Sequence, residues 1–304
     1  MERKTWSMDH QLHRSVLLNE VLEYLNPKPG GVFIDATING GGHAAAIAER
    51  IGKKGKLLGI DRDCELLSLK SLNYQLQTTN YKLVCDSFAQ MREVAEEQGF
   101  TNVDGILFDL GFSSFHIEQS GRGFSFLRDE PLDMRYDTTD GVSAKDVVNK
   151  WPEEKLRNIF FTLGEERFGR RIARRIAEER DRHSINTTAE LVEIVRKAVP
   201  APYRRGRIHF ATRTFQALRM CVNEELEHAA KGISGAIPLL GTGGRVAVIS
   251  FHSGEDRIVK ELFRKGEQDG ALRRITKKPI PAGAAEANEN PRARSAKLRV
   301  AEKI

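Results

Sequence analysis

The residues best placed to do chemistry begin with a carboxylate beside a run of glycines. Asp35 ends a short apolar segment, and the chain then passes through Gly41 and Gly42 to His43. Glycines let the backbone approach a ligand closely, and the first turn of a helix offers free N–H groups. The spacing differs from the GxGxxG pattern that binds the pyrophosphate of a dinucleotide. This segment therefore predicts a ligand site of another kind.

Two later segments place polar groups where the same ligand would extend. Asp61 ends a second apolar segment, where a carboxylate can accept hydrogen bonds from both hydroxyls of a ribose. Asp86 and Phe88 follow a third segment, where a carboxylate can accept the amino group of adenine and a ring can stack on it. An acidic residue before a glycine loop, followed by such groups, is the arrangement of enzymes that use S-adenosylmethionine (SAM). The sequence therefore predicts a SAM site at the ends of successive strands.

A fourth apolar segment ends on Asp109, and Ser113 and Ser114 follow it in a glycine-containing turn. A carboxylate here can accept an N–H and take its proton, so we predict Asp109 as the catalytic acceptor or a cofactor ligand. Ser113 or Ser114 would position the substrate, although capping of the turn explains either serine equally well. Methylation at carbon 5 of a pyrimidine would need a reactive cysteine, and no cysteine has an obvious basic neighbourhood. Transfer to an amino nitrogen is therefore favoured.

A parallel sheet is needed to bring these residues together. Short apolar segments alternate with helical segments four times in the first third of the chain, which predicts a doubly wound, Rossmann-like α/β sheet. The alternation then stops, residues 143–199 have helical periodicity, and an apolar strand returns at 245–250. The predicted organisation is a methyltransferase domain in two parts, 1–111 and 213–304, with a helical substrate-recognition domain inserted at 112–212.

Composition and charge narrow the class of protein. The chain has 304 residues, and no apolar run approaches the roughly 18 residues of a membrane span. The polar first residues argue against a secretory signal. Residues 1–149 hold 22 acidic against 16 basic side chains, whereas residues 150–220 hold 17 basic against 9 acidic and residues 271–304 hold 9 against 3. An acidic first part suits the SAM sulfonium and two basic blocks suit a polyanion, which favours a nucleic acid as the partner.

Arginines in and near the basic blocks are the candidate RNA contacts. The predicted set is Arg122, Arg170, Arg174, Arg175, Arg213, Arg292 and Arg294. Internal ion pairs with Asp133, Glu165 or Glu166 are the alternative for several arginines of these segments, Arg135 and Arg167 included. His252 follows the last strong strand and is predicted to line the pocket.

The cysteines carry no metal or disulfide pattern. Cys64, Cys85 and Cys221 are odd in number, far apart and without CxxC spacing. We therefore expect no zinc site, no other metal and no disulfide framework, and a reducing cytoplasm as the location. The oligomeric state is left open by the sequence.

In their order along nearly the whole chain, these motifs resemble those of the bacterial 16S rRNA cytosine-N4 methyltransferases. The segments that carry the resemblance are His13, Val16–Glu20, Asp35–Thr37, Gly41–His43, Gly59–Asp63, Asp104–Gly111, Arg122–Phe126, Pro131–Arg135, Gly164–Arg167, Ala211–Arg219, Val248–Ser253, Glu255–Lys260 and Asn290–Arg299. The resemblance implies a SAM-binding Rossmann-like domain with a helical insertion that helps to hold rRNA. It also implies methylation of the exocyclic N4 of a cytosine in the decoding region of the small ribosomal subunit.

The sequence departs from the family's pattern at a few positions. Ser15 and Phe210 replace prolines, Gly254 replaces a leucine, and Asn39 replaces a loop glycine, for which asparagine is the next best residue in a left-handed backbone. Phe115–Glu118 replaces Pro-Gln-Leu-Asp, which puts His116 where the family's glutamine reaches the cofactor.

Three other interpretations stay open at this point. They are a SAM enzyme that acts on a protein or small molecule, a dinucleotide-dependent oxidoreductase, and a non-catalytic RNA-binding or ribosome-assembly factor derived from the enzyme. The basic helical block argues against the first, and the glycine spacing argues against the second. The changes at 115–118 make the third the strongest of these rivals.

Overall fold

A single sheet organises the chain. The computed structural model describes residues 15–68, 79–111 and 113–304, with Ser114 described by its backbone alone. Within these ranges the strands are β1 Val32–Asp35, β2 Lys56–Asp61, β3 Asn80–Cys85, β4 Val103–Asp109, β5 Leu240–Ser250, β6 Leu272–Arg274, β7 Ile280–Pro281 and β8 Lys297–Lys303. Their order is β3-β2-β1-β4-β5-β8-β6, with β7 also paired to β8.

The first five strands in this order run parallel, which confirms the predicted doubly wound sheet. Strand β8 returns antiparallel to β5 and also pairs with β6 and β7. Asp35 pairs in register with Gly59 and Leu107, and Asp61 pairs with Cys85. The strand ends therefore meet at one edge, and the order reverses between β1 and β4, where sheets of this type bind their ligands.

Helices cover the sheet and form a separate bundle. They are α1 Leu18–Leu25, α2 Gly42–Ile51, α3 Cys64–Leu67, α4 Met91–Glu97, α5 Ser114–Glu118, α6 Ala144–Lys150, α7 Glu153–Thr162, α8 Gly169–Arg180, α9 Thr188–Ala198, α10 Ala201–Arg204, α11 Thr212–Val222, α12 Glu225–Leu239, α13 Ser253–Gln268 and α14 Ala284–Glu289. Short 3₁₀ helices occupy Phe88–Gln90 and Pro291–Ser295.

Both faces of the sheet are buried, as expected for parallel strands between helical layers. Successive residues point to opposite faces, so Phe33 packs in the cluster that holds Ile47 of α2, and Ile34 packs in the cluster that holds Phe263 of α13. Burial of an apolar side chain of this size contributes about 1.5–3 kcal/mol. The two clusters hold the strand ends rigidly at the edge where the polar residues lie.

A third cluster of buried side chains lies among helices α6 to α11, away from the sheet. It includes Phe160, Ile176 and Leu191, and it continues to Leu218, past the residue at which the insertion was predicted to end. In α8 the buried Ile172 and Ile176 form the inner stripe of the helix. The boundaries 112 and 212 stay a prediction, but the helical region has its own core.

The structure corrects the expectation about cysteines. Cys64 and Cys85 form a disulfide, with their Cα atoms 5.2 Å apart. Their separation along the chain matches no motif, but β2 and β3 pair side by side, and α3 begins at Cys64 just after the end of β2. The expectation of no disulfide was therefore wrong because the sheet, not the spacing, brings the two thiols together. Among the described residues, no helix is long and apolar enough to cross a membrane.

Candidate active site

A first cavity lies against the carboxyl ends of β1, β2 and β3. Its wall includes Thr37, Asp61, Phe88 and His116, three of which the sequence predicted as cofactor contacts. The wall also includes Asn39, which has a left-handed backbone with φ 50°. The asparagine that replaces a loop glycine thus adopts the conformation expected of it.

Backbone N–H groups orient the carboxylate of Asp61. One oxygen, Oδ2, accepts from the N–H of Asn39 at 2.9 Å, and Oδ1 accepts from the N–H of Asp63 at 2.9 Å. Burial raises the pKa of Asp61 to about 6, and these N–H groups oppose part of that rise. The result is a fixed acceptor facing the cavity, as two ribose hydroxyls would require.

The third strand end presents a ring to the same cavity. Phe88 packs edge-on to Phe108, with ring centroids 5.8 Å apart. It also lies against Gly232 of α12, where a Cβ atom would be 2.7 Å from the ring, so only glycine fits. Asp86 accepts from the N–H of Ser87 at 2.6 Å, beside Phe88 and outside the cavity wall itself. Phe88 is thus held where an adenine could stack, and Asp86 borders that position.

His116 belongs to a buried polar network that begins at Ser113. The N–H of Ser113 donates to Nδ1 of His116 at 3.0 Å, so Nε2 carries the hydrogen and donates to Asp63 at 3.0 Å. The His116 ring packs against both Phe124 at 5.1 Å and Tyr136 at 4.8 Å, and these two rings stack on each other at 5.4 Å. Ser113 is fully buried and caps α5, which favours the turn-capping interpretation over substrate positioning. The side chain of Ser114 lies outside the described part of the structure.

A second cavity adjoins the first at Asn39, Leu110 and Gly111, which line both. Asp109, the last residue of β4, forms part of its wall, and His252 lies there as predicted from its place after β5. Four aromatic rings also line this cavity. They are Phe124, Phe126, Phe215 and Phe251. The first cavity therefore has the features of a cofactor site. The second has the features of a site for a planar, apolar substrate, and the two share a junction.

Three buried ionisable side chains interact with one another next to the second cavity. Asp35, His43 and Asp109 are 1%, 4% and 2% exposed. Nδ1 of His43 is 3.5 Å from Oδ2 of Asp109, and Nε2 is 3.0 Å from the carbonyl oxygen of Val16. Burial raises the pKa of Asp35 to about 7, against the opposing influence of His43 and the N–H of Thr37.

The glycine loop and His43 stand behind the cavities. Gly41 caps α2 with φ 79°, and Gly42 is the first residue of that helix. The His43 side chain is in neither cavity wall, so a contact with the cofactor would have to use its backbone. The N–H of Asp109 donates to Thr37 Oγ1 at 2.6 Å, which fixes the end of β4 against the loop.

Several residues of the first cavity escaped the sequence analysis. They are Tyr136, Asn223, Glu225, His228 and Glu255. Tyr136 donates to Glu225 at 3.1 Å, and Arg219 donates to both oxygens of Glu225 at 2.7 and 2.9 Å. Tyr136 directly follows the Pro131–Arg135 motif, and this position is the only feature of the local sequence that could have pointed to Tyr136. Tyr136 and Asn223 reach the cavity from the helical region, whereas the other three lie on α12 and α13, which pack on the sheet.

One acidic cluster has the composition of a metal site. Ligand atoms of Glu225, His252 and Glu255 lie within 4.8 Å of one another. The guanidinium of Arg219 already supplies a positive charge to Glu225, and the N–H groups of Phe251 and His252 donate to Glu255. We therefore assign no metal to this cluster, and the predicted absence of a metal stays a prediction.

The structure argues against Arg122 as an RNA contact. Its side chain is 10% exposed and pairs with Asp63 at 3.0 Å and Glu65 at 2.8 Å. It also donates to the carbonyl oxygens of Arg135 and Tyr136. This guanidinium is an internal cross-link, with acidic partners other than those considered from the sequence. It has no free face for a phosphate.

The other predicted arginines are more accessible. On α8, Arg170 and Arg174 are exposed, and Arg175 is half-buried beside Glu178 and Glu179. Arg174 pairs with Glu178 at 3.0 Å, but surface pairs of this kind contribute only about 0–1 kcal/mol. These side chains can therefore exchange partners for a phosphate at little cost.

The remaining three predicted arginines lie nearer the second cavity or its flank. Arg213 donates to the carbonyl oxygen of Glu165 at 2.8 Å. Arg292 is in the wall of the second cavity, where burial lowers its pKa. Arg294 is exposed and donates to the carbonyl oxygen of Ala287 at 3.0 Å.

A basic run missing from the predicted set precedes a histidine that contacts the wall of the second cavity. Arg204, Arg205 and Arg207 are exposed, and His209 beyond them stacks on Phe126 with ring centroids 4.6 Å apart. Phe126 is itself in the cavity wall. The sequence shows these residues as an Arg-Arg-Gly-Arg run, but it does not show where the run lies relative to the cavity.

The strand order, the antiparallel β8 and the carboxylates at the strand ends define a class I, Rossmann-like methyltransferase. The chain belongs to the MraW methylase family, whose profile matches residues 10–304. This assignment excludes the dinucleotide-dependent oxidoreductase.

Curated relatives match over nearly the whole chain. Ribosomal RNA small subunit methyltransferase H of Geobacter sp. (strain M21) is 45% identical over 96% of this chain and 98% of its own length. The protein of the same name from Trichlorobacter lovleyi is 44% identical over 98% and 100%. That from Citrifermentans bemidjiense is 45% identical over 96% and 98%.

Proposed function

We propose that this chain uses SAM to methylate the exocyclic N4 of a cytosine in the rRNA of the small ribosomal subunit. The names of the relatives support small-subunit rRNA as the substrate. The motif resemblance supports N4 of a cytosine as the atom that is methylated. The observation that carries the chemistry is Asp109, a buried carboxylate in the wall of an aromatic cavity that adjoins the first cavity. A buried carboxylate that could take the proton supports an enzyme over a non-catalytic assembly factor.

The first cavity fits SAM by the chemistry of its donors and acceptors. Asp61 would accept the ribose hydroxyls, and Phe88 would stack on the adenine, with Asp86 beside it. SAM supplies an electrophilic methyl group on a sulfonium, and the carboxylate of Asp61 in the same cavity suits that positive charge. Gly111, with φ 99°, leaves the junction between the cavities open.

The second cavity fits an unstacked base. Rings of Phe124, Phe126, Phe215 and Phe251 would hold a planar pyrimidine and exclude water. The amino lone pair of cytosine is delocalised into its ring, so the amino group is a poor nucleophile. Asp109 would accept an N4–H, orient the amino group toward the junction and take the proton as the N–C bond forms.

Basic side chains would hold the rRNA around this cavity. The run from Arg204 to Arg207 reaches its rim through the stack of His209 on Phe126. Arg170 and Arg174 extend the positive surface along α8. Phosphate contacts of this kind position the nucleic acid and carry no base specificity, which leaves the choice of base to the cavity.

The test compares Asp109→Asn with the unchanged protein in single turnovers on purified small subunits at saturating SAM. The amide keeps the size of the side chain but cannot take a proton. We expect a loss of about 100-fold or more in the rate of methyl transfer, with SAM affinity nearly unchanged. A raised SAM requirement with an intact saturated rate would make Asp109 a cofactor ligand only.

Asp269→Asn, at the exposed end of α13, is the matched control and should keep the full rate. The product is identified by mass spectrometry of nucleosides from digested rRNA. Unchanged protein that binds SAM and subunits yet forms no N4-methylcytidine would overturn the proposed function in favour of an assembly factor.

A further inference from the structure

We infer that His43 is a positioning residue of this reaction, which stays protonated behind Asp109 and so keeps that carboxylate ionised and aimed into the second cavity. The inference rests on the proposed function, because it gives Asp109 the task of accepting the N4–H. His43 is buried, its side chain lines neither cavity, and its ring bridges two elements.

Hydrogen-bond geometry fixes where the protons of His43 lie. Nε2 is 3.0 Å from the carbonyl oxygen of Val16, and a carbonyl can only accept, so Nε2 carries a hydrogen. Nδ1 is 3.5 Å from Oδ2 of Asp109. If Nδ1 were bare, its lone pair would face the carboxylate oxygen in a site closed to water. A proton between the two atoms removes that repulsion and makes the pair an imidazolium and a carboxylate.

The charges around the His43 ring also favour its protonated, imidazolium form. Burial alone lowers the pKa of His43, but the hydrogen bond and charge of Asp109, with the charge of Asp35, raise it above its ordinary value. Three elements contribute the groups concerned. Asp35 ends β1, Asp109 ends β4, and Arg292, from the 3₁₀ segment, approaches Asp109 from the far side of the cavity.

Asp35 shows how strongly burial acts on a strand-end carboxyl, even where the charge of His43 opposes the rise in its pKa. Its Oδ1 accepts from the N–H of Thr37 at 3.1 Å, and its Oδ2 has no hydrogen-bond partner in the described part of the chain. Burial raises the pKa of Asp35 to about 7. A catalytic acceptor in that condition would be half protonated at neutral pH. For Asp109 the contact is direct, because Nδ1 of His43 lies 3.5 Å from its Oδ2, where a protonated ring favours a carboxylate over a carboxylic acid.

Every proton in the methyl-transfer step is then accounted for without a change in the protonation state of His43. The N4–C bond forms as the C–S bond breaks, with its electron pair left on sulfur. The N4–H bond breaks, and its proton passes to Asp109 and afterwards to solvent. His43 keeps both ring protons throughout. If His43 loses its proton at high pH, Asp109 faces a lone pair and turns away, so activity should fall at alkaline pH.

Selective ¹⁵N labelling of the histidines tests the protonation state directly. We expect His43 to show two protonated ring nitrogens at pH 7, with a pKa above that of a free histidine. Its resonance is assigned by its disappearance in H43N, and its pKa should fall in Asp109→Asn. A neutral His43 ring at pH 7 would overturn the inference. Because this measurement needs no RNA or turnover, it is independent of whether the proposed function holds.

Two substitutions of His43 separate positioning from packing. His43→Asn puts an amide N–H near the place of Nδ1 and can still donate to Asp109, whereas His43→Gln reaches toward Val16 and cannot. We expect His43→Gln to lose on the order of 10–100-fold in single-turnover rate, the scale seen when a residue that orients a reacting group is removed. His43→Asn should keep more activity and lose the alkaline fall in the pH–rate profile.

The control is His183→Asn, an exposed histidine outside both cavities, which should keep the rate and the pH profile of the unchanged protein. Thermal unfolding and SAM titration of each variant show whether it is folded. A purely structural His43 would give His43→Asn the same pH profile as the unchanged protein, and that result contradicts the inference. Full activity of His43→Gln contradicts it as well.

Discussion

At the residue scale, the carboxylates that end the parallel strands differ because their immediate partners differ. Asp61 receives two backbone N–H groups and faces the first cavity, whereas Asp35 receives one and faces the interior. Burial raises the pKa of both, to about 6 for Asp61 and about 7 for Asp35. Similar positions in the sheet thus give carboxyl groups that change charge at different pH values.

The first prediction concerns the pH dependence of SAM binding. Asp61 accepts ribose hydroxyls only as a carboxylate, so affinity should be full well above pH 6 and fall as the pH drops through about 6. The expected loss is up to about tenfold for each pH unit below that value. Calorimetric titration between pH 8 and pH 5 measures it.

Asp61→Asn separates this group from the others in the cavity. At pH 8 the variant should bind SAM more weakly by about 1–3 kcal/mol, the cost of losing hydrogen bonds to a charged acceptor. Its affinity should also change less between pH 8 and pH 5 than that of the unchanged protein. Equal pH dependence in the two proteins would mean that Asp61 does not hold the ribose.

At the element scale, the segments between strands and helices carry both cavities. The loops after β1, β2, β3, β4 and β5 all supply wall residues, because parallel strands end at the same edge. The helical region supplies the opposite wall through Phe126 and Phe215. The basic run at 204–207 begins at the last residue of α10 and continues into the short segment before α11. RNA binding is therefore expected to depend on this segment.

The second prediction tests the basic run by neutralising Arg204, Arg205 and Arg207 together to glutamine. Binding to small subunits should weaken, and the slope of log affinity against log salt should shrink by about 2–3, because each lost phosphate contact removes about 0.7–0.9. SAM affinity should not change.

A matched triple variant controls for charge alone. Lys260, Arg264 and Lys265 are exposed in the last turns of α13, which starts at the carboxyl end of β5 and runs to the opposite edge of the sheet. Neutralising them should leave the salt slope within error of the unchanged protein. If both triples change the slope equally, the effect reflects net charge and the basic run has no specific role.

At the scale of the whole molecule, one buried asparagine ties the segment that carries Tyr136 to the end of α11. Asn223 donates to the carbonyl oxygen of Met134 at 2.7 Å and accepts from the N–H of Tyr136 at 2.9 Å. It also donates to the carbonyl oxygen of Arg219 within α11. Tyr136 and Asn223 both line the first cavity, so the fit of the two regions shapes the cofactor site.

The third prediction follows from this bridge. Asn223→Ala leaves buried backbone groups of Met134 and Tyr136 without partners, so the free energy of unfolding should fall by about 1–3 kcal/mol. SAM affinity should fall too, because Tyr136 is no longer held against the cavity. Asn158→Ala, an exposed change on α7, should alter the unfolding free energy by less than about 0.5 kcal/mol. Chemical denaturation and SAM titration of both variants provide the comparison.

The sequence by itself determined the sheet and the residues at its strand ends. Apolar segments that alternate with helices specify a parallel sheet, and the ends of parallel strands share an edge whatever the rest of the chain does. Asp61, Phe88 and Asp109 could therefore be placed in the site before any coordinates, because each directly follows or ends an apolar segment. The local sequence pattern is enough to place these residues because the topology of the sheet determines where the strand ends lie.

Only the tertiary structure decided which polar groups pair with one another. Arg122 meets Glu65, 57 positions away, and becomes an internal cross-link, while Tyr136 and Glu225 meet 89 positions apart and line the first cavity. The Cys64–Cys85 disulfide depends on the pairing of two strands. No local pattern encodes these contacts, because a charged or polar side chain has the same sequence signature whether it faces solvent or a partner. The packing of the helical region on the sheet edge determines whether each of these side chains meets a partner.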